Sequence, residues 1–253
     1  MTQPFIEIDG FSKWYAGRRI LSDVSVSVEK GETLAVIGKS GCGKSTLLRH
    51  VAGLEDASTG RTLGRISLFG DVEISALPER EILRRKLRGP RVGFLFQDGA
   101  LFDFLDVEGN ILWPLREHRG GGETALRERC REVLRMVDLE PTGELLRREV
   151  SGLSGGERKR VALARCIALE PEILLFDEPT AGLDPPTASG ISQLINRLRE
   201  GGKRTSIVTS HDMESTRKVA DRIAWIQDGA VVFQGTFDEA MADPKVRGFV
   251  KGG

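Results

Sequence analysis

Thr33-Leu34-Ala35-Val36-Ile37-Gly38-Lys39-Ser40-Gly41-Cys42-Gly43-Lys44-Ser45-Thr46 runs from an apolar, β-branched stretch directly into the pattern G-x-x-x-x-G-K-[ST]. Glycines at these positions let successive backbone N–H groups of residues 38–46 face phosphate oxygens, and the helix that follows presents its positive N-terminal end. Lys44 is placed to reach the β- and γ-phosphates of a nucleotide, and the Ser45 hydroxyl to ligate Mg²⁺. The plain alternative is a glycine turn joining a strand to a helix. The full motif, with the expected strand before it and helix after it, speaks for the phosphate cradle.

Working outward, Phe5-Ile6-Glu7-Ile8 and the alternating Val24-Ser25-Val26-Ser27-Val28 read as strands, and Thr33–Ile37 as a buried one. Lys44 to Ala52 is predicted as a helix closed by Gly53, and Arg65 to Phe69 as a further strand. From Pro78 to about Val150 the pattern turns helical around a strand-like segment, Val92 to Gln97; Leu126, Val133, Leu134 and Val137 keep helical spacing within Glu123 to Val137. After Ser154 come a helix to Ala168, the apolar strand Ile173–Phe176, a helix from about Thr187 to Glu200, and the strand Thr205–Thr209. Ile223–Ile226 and Ala230–Phe233, joined at Asp228-Gly229, read as an edge hairpin, followed by a short acidic helix and a tail. Alternating strands and helices predict an α/β fold with a parallel sheet covered on both faces. The expected organisation is one domain over 1–253. Its core, with an N-terminal antiparallel β-subdomain, takes 1–77 and 154–235; a helical subdomain is inserted at 78–153, and a C-terminal helix and tail occupy 236–253.

The chain has 253 residues, enough to bury a sizeable core. Its 37 basic and 37 acidic residues cancel, so no bulk electrostatic footprint for nucleic acid or anionic lipid is present. Three cysteines without metal-like spacing, one inside the phosphate loop, point to a reducing compartment. No apolar stretch approaches the roughly 20 residues that span a bilayer. The segment from Glu79 to Arg91 has an excess of four positive charges, read as a solvated helix face or as a patch for anionic headgroups.

Ile173-Leu174-Leu175-Phe176-Asp177-Glu178 puts two carboxylates at the carboxyl end of a buried strand, where open α/β sheets bind ligands. Alone, these would be solvated charges ending a strand; with the phosphate loop, Asp177 is expected to hold Mg²⁺ through water and Glu178 to act as general base on an attacking water. Leu153-Ser154-Gly155-Gly156-Glu157 precedes an apolar helix, with Ser154 as N-cap, and its spacing is already explained by a capping box from Ser154 to Glu157.

With these strings side by side, the chain resembles the ATP-binding cassette (ABC) ATPases over nearly its whole length: a P-loop, RecA-like core with an antiparallel β-subdomain and the family's α-helical insertion. The resemblance implies that Ser154, Gly155 and Gly156 of one subunit close over ATP held by another, so that two copies meet head to tail around two ATP molecules. It also implies that Gln97 touches Mg²⁺ and the attacking water and that Asp184, in Ala181-Gly182-Leu183-Asp184, crosses to the opposite subunit. His211, in Thr209-Ser210-His211-Asp212, matches the switch histidine, and Tyr15 matches the aromatic that stacks on adenine. A satisfied structural histidine is the alternative for His211, and a core role for Tyr15, with Trp14 as competitor.

The segment Gln97 to Phe102, with Trp113-Pro114-Leu115-Arg116-Glu117-His118 and the tail Asp243 to Val250, resembles the ATPases of Mla-type, MCE-associated lipid transporters; Glu157 departs from that branch. Such a subunit sits at the cytoplasmic face of the bacterial inner membrane with two integral-membrane permease subunits, a periplasmic MCE lipid-binding protein and a small cytosolic regulatory subunit. Phospholipid is the expected cargo, and no nucleic acid is expected as partner. The competing readings are the ATPase of an importer for amino acids or another polar solute, a soluble ABC protein acting on DNA or ribosomes, and a P-loop kinase. The single cassette and the lack of a heptad run count against the soluble ABC protein, and the signature string and His211 against the kinase.

Overall fold

The computed structural model describes residues 3–55, 59–199 and 204–252. β1 (Ile6–Tyr15) and β2 (Arg18–Val28) form an antiparallel hairpin that turns at Ala16-Gly17, where φ is 47° and 80°. Both strands are longer than the alternation suggests. The pairing register shifts between Ile8 and Phe11 and again between Phe11 and Lys13, so inward and outward positions fall out of step and hide the strand from a period-two reading.

Next come β3 (Thr33–Ile37), every residue of it buried, and α1 (Lys44–Val51). β4 (Arg61–Leu68) and the two-residue β5 (Val72–Glu73) complete an antiparallel sheet in the order β2-β1-β4-β5. After the short α2 (Glu79–Arg84) and β6 (Val92–Leu95), α3 (Val107–His118), α4 (Glu123–Met136), α5 (Gly143–Leu146) and α6 (Gly155–Ile167) follow in series. The chain then alternates through β7 (Ile173–Asp177), α7 (Pro185–Arg199), β8 (Thr205–Ser210) and α8 (Met213–Val219). It ends with β9 (Arg222–Gln227), β10 (Ala230–Gly235), α9 (Phe237–Ala242) and α10 (Pro244–Gly252). The expected end of the helix before β8, Glu200, lies outside the described residues.

The larger sheet has the order β10-β9-β3-β8-β7-β6 and is parallel except for β10, which pairs antiparallel with β9 across Asp228-Gly229. Its strands alternate between two cores. Leu174 and Phe176 of β7 pack with α3, α4, α6 and α7, whereas Ile173 and Leu175 of the same strand pack toward the antiparallel sheet and α1. Both faces of the sheet are therefore covered, as parallel sheets require.

Two boundaries differ from expectation. Within the stretch 78–153 expected as the helical insertion, β6 pairs in parallel with β7 from Val92 to Leu95, so that strand belongs to the larger sheet, with α2 before it and the run of helices after it. The C-terminal tail is helical as α10, held by Val246, which is fully buried against Ala35, Ile37 and Trp225. The basic stretch before β6 is largely paired: Glu81 meets Arg84 at 2.8 Å and Arg85 at 3.4 Å, Arg88 meets Glu79 at 3.0 Å, and Arg91 meets Glu172 at 2.9 Å. Among the described residues no helix is long and apolar enough to cross a membrane.

Candidate functional site

The carboxyl ends of β3, β6, β7 and β8 lie side by side in the sheet, and each releases the chain into a predicted functional segment. β3 ends at Ile37 and leads into residues 38–46. Gly38, Gly41 and Gly43 have φ of 155°, 79° and 105°, and α1 begins on Gly43 with no side chain capping it. A Cβ on Gly43 would stand 2.7 Å from Leu21 Cδ2, and one on Gly38 2.4 Å from the Ile226 carbonyl oxygen, so the packing behind the loop demands glycine at both. The uncapped N–H groups at the start of α1 remain free to meet an anion. Lys39, Ser40 and Gly41 are exposed along the loop, and Thr46 is half-buried in the first turn of α1.

Lys44 is buried, and its Nζ donates to the carbonyls of Gly38 at 2.8 Å and Lys39 at 3.3 Å. It also pairs with Glu178 Oε1 at 3.3 Å. Ser45 Oγ donates to Asp177 Oδ1 at 2.8 Å, and Thr209 Oγ1 donates to the same oxygen at 2.8 Å. Thr209, which is fully buried, in turn accepts from the Glu178 backbone N–H at 2.9 Å. Glu178 holds φ at 47°, a left-handed conformation that a non-glycine residue rarely adopts, at the point where β7 ends. Its Oε2 lies 2.7 Å from His211 Nδ1, on the loop after β8. The phosphate loop, both carboxylates and the histidine thus form one connected set.

Gln97, exposed just beyond β6, lines a cleft of about 560 Å³ together with Ser45, Asp177 and Gly182. Ser45, Asp177 and Gln97 supply an all-oxygen donor set, the chemistry that suits Mg²⁺, so these residues fit the expected metal. Gln97 is anchored from behind: Lys159 on α6 donates to its carbonyl, and Arg165 on α6 donates to the Gly99 carbonyl at 2.9 Å. Burial lowers the affinity of Lys159 for its proton, while the Asp98, Asp177 and Glu178 carboxylates oppose that effect.

The remaining residues stand apart. Ser154 caps α6 and completes a capping box with Glu157, whose carboxylate is held below its ordinary pKa by hydrogen bonds from the Ser154 backbone and hydroxyl and by Arg148. Ser154 and Gly155 are exposed, and neither they nor Gly156 line the cleft at Ser45. Asp184 caps the start of α7 through Thr187, accepting from its N–H at 3.1 Å and its hydroxyl at 2.7 Å. Tyr15 is turned to Glu55, to which its hydroxyl donates, with Lys13 Nζ 5.1 Å from its ring centre; its ring is not among the residues lining the cavity beside the phosphate loop. Cys42 does line that cavity, and burial raises its thiol pKa.

Thr209 and Lys159 escaped the sequence reading. Thr209 had a usable signal, a hydroxyl near the carboxyl end of an apolar strand two residues before His211. Lys159 had none, since lysines on helices are ordinarily solvated.

A family model described as ABC transporter matches residues 21–181. The chain belongs to the ABC transporter family. It carries that family's ATPase cassette, whose substrate is ATP and whose metal is Mg²⁺. This ABC subunit is 37% identical over 247 residues to the sulfate/thiosulfate import ATP-binding protein CysA of Yersinia pestis, an alignment covering 96% of this chain and 63% of that protein. The chain therefore spans less than two thirds of the length of that CysA relative. It is also 37% identical over 254 residues to the intermembrane phospholipid transport system ATP-binding protein MlaF of Haemophilus influenzae, covering 100% of this chain and 92% of that protein. In structure the ABC subunit is similar to the dimeric ATP-binding cassette MJ0796 in a post-hydrolysis state bound to ADP and Pi, with TM-score 0.80, 30% identity, and 91% and 98% of the two chains covered. It is also similar to cbiO1 of Clostridium perfringens, part of the ABC transporter complex cbiONQ, with TM-score 0.81, 28% identity, and coverage of 97% and 93%.

Proposed function

We propose that this subunit couples ATP hydrolysis to the movement of a phospholipid or a related hydrophobic molecule through partner permease subunits in a bacterial envelope. Two copies close head to tail, each bringing Ser154, Gly155, Gly156 and Asp184 to the nucleotide held by the other. What supports this is their placement: the capped end of α6 is exposed and contributes nothing to its own cleft. Phosphate oxygens take the place of Glu178 as partners of Lys44. The freed carboxylate then accepts a proton from the attacking water while His211 holds it in orientation. Ser45, Asp177 and Gln97 would hold Mg²⁺, which would neutralise charge on the phosphate oxygens.

The observation that carries the transport reading is the surface directly beyond Gln97. Phe102 and Trp113 have ring centres 5.7 Å apart, and Phe102 and Phe104 5.4 Å; Phe104 is 76% exposed and Trp113 49%. This is not a loose loop. The fully buried Asn110 pins it, its amide donating to the carbonyls of Phe102, Leu105 and Asp106 at 3.0 to 3.3 Å and its oxygen accepting from the Phe102 N–H at 2.8 Å. A rigid, exposed aromatic cluster fits a permanent apolar partner, and its link to the site runs through Gln97 and Lys159. The lipid cargo is supported by the likeness to MlaF, which extends through the tail. A periplasmic MCE protein and a small cytosolic regulatory subunit complete the proposed assembly, with this subunit peripheral to the cytoplasmic face of the inner membrane.

A second reading, the ATPase of an importer for sulfate or another polar solute, is favoured by the likeness to CysA. Affinity purification of the tagged subunit from its native membrane separates the two. A permease accompanied by an MCE-domain protein supports lipid transport; a permease accompanied by a soluble solute-binding protein overturns it.

A further inference from the structure

A cavity of about 700 Å³ opens on the outer side of the phosphate loop, distinct from the cleft at Ser45. One wall is the loop itself from Lys39 to Cys42. The others come from Arg18 and Arg19 at the start of β2, Trp225 and Asp228 near the β9–β10 turn, and Lys245 on α10. Arg18, Arg19, Lys39 and Lys245 make no ion pair with any described residue, and Asp228 is the only acidic side chain in the lining. A concave site with an excess of positive charge, sharing a wall with a phosphate cradle, suits a polyanion.

The placement of Lys245 is built rather than incidental. Its neighbour Val246 is fully buried against Ile37, the last residue of the strand that delivers the phosphate loop, and against Trp225 on the cavity floor. Asp243 Oδ1 accepts from the backbone N–H of Lys245 at 2.7 Å and of Val246 at 3.2 Å, fixing the first turn of α10. The helix is thereby seated on the strand behind the loop, with the lysine facing the cavity.

We infer that Lys245 is a nucleotide-binding residue of this ATPase, carried by α10 into the cavity that the phosphate loop walls, so that a nucleotide on the loop extends from the cleft at Ser45 into this cavity. The inference rests on the nucleotide-binding reading of residues 38–46 and extends that site to the C-terminal helix. A single, partly exposed charge contact to a phosphate is worth a modest factor, so the effect lies in affinity and not in turnover.

The test is equilibrium titration of a fluorescent ATP analogue, and steady-state ATPase assays, with the full-length subunit in complex with its permease. Lys245→Ala is expected to raise Kd and KM for ATP by about three- to tenfold while kcat stays within about twofold, and to flatten the salt dependence of Kd. Lys245→Arg should restore both, and Val246→Ala, which unseats the helix, should reproduce the loss. Lys44→Ala, measured alongside, keeps the two readings separate. If Lys44→Ala abolishes binding and Lys245→Ala leaves Kd unchanged at low salt, the role of α10 is overturned and the phosphate-loop site stands. Retained binding in Lys44→Ala overturns the nucleotide site itself.

Discussion

His211 Nδ1 lies 2.7 Å from Glu178 Oε2, so the loop after β8 holds the carboxylate that ends β7. Each of the two strands contributes one member of the pair, and the parallel pairing of β7 with β8 sets their spacing. Glu178→Gln keeps the shape of the side chain and removes its capacity to take a proton. Turnover should fall by about 10²- to 10³-fold with ATP affinity retained, and the variant should trap a two-chain, two-nucleotide species by size-exclusion chromatography with light scattering of the permease complex. His211→Ala should lower kcat with little change in KM. A His211→Ala enzyme with unaltered kcat would remove the histidine from the mechanism.

Thr209 ties the two acidic residues together from below, donating to Asp177 Oδ1 and accepting from the Glu178 backbone N–H. Thr209→Val conserves shape and leaves that buried N–H without its acceptor, at a cost of about 1–3 kcal/mol. Thermal unfolding should show the loss. The Mg²⁺ concentration for half-maximal ATPase should rise as well, because Asp177 loses one of the two hydroxyls that orient it.

Gly43→Ala meets two obstacles: a φ of 105° and a Cβ position 2.7 Å from Leu21 Cδ2. Strain of about 1–3 kcal/mol falls on the loop and on the first turn of α1. Nucleotide binding should weaken at least tenfold by isothermal titration, whereas Gly120→Ala, where a Cβ meets nothing within 4 Å, should bind like wild type.

Burial lowers the pKa of His50 from 6.5 to about 4, and its Nδ1 lies 2.8 Å from the Thr46 carbonyl. The folded protein therefore binds fewer protons than the unfolded chain between these values. Stability is full above pH 6.5 and is lost as the pH falls toward 4, by up to about 3 kcal/mol. Melting temperatures measured across this window should drop with acidification, and His50→Gln should flatten the slope.

Cys130 and Cys166 are pushed up to about 12, and Cys42 upward, in each case chiefly by burial. All three thiols stay protonated at neutral pH and should react slowly with iodoacetamide in the native protein but rapidly in denaturant, followed by mass spectrometry. ATP should slow the labelling of Cys42 further, since it shares a cavity with the phosphate loop.

The phosphate loop, the Asp177-Glu178 pair, the capped helix at Ser154 and the edge hairpin at Asp228-Gly229 were all determined by local sequence. Each depends on residues within a few positions: glycines that permit the turn, an apolar run that ends on charge, a hydroxyl three residues before a glutamate. What only the tertiary structure decided involves partners far apart along the chain. The register shifts in β1 hid two long strands, and the pairing of β6 with β7 put one segment of the expected helical insertion into the larger sheet. The same holds for Thr209 between the Asp177 carboxylate and the Glu178 N–H, Lys159 on the Gln97 carbonyl, and the seating of α10 beside the phosphate loop by Val246. Such contacts are set by which strands and helices become neighbours. That is fixed by packing two cores on opposite faces of one sheet, and no local pattern encodes it.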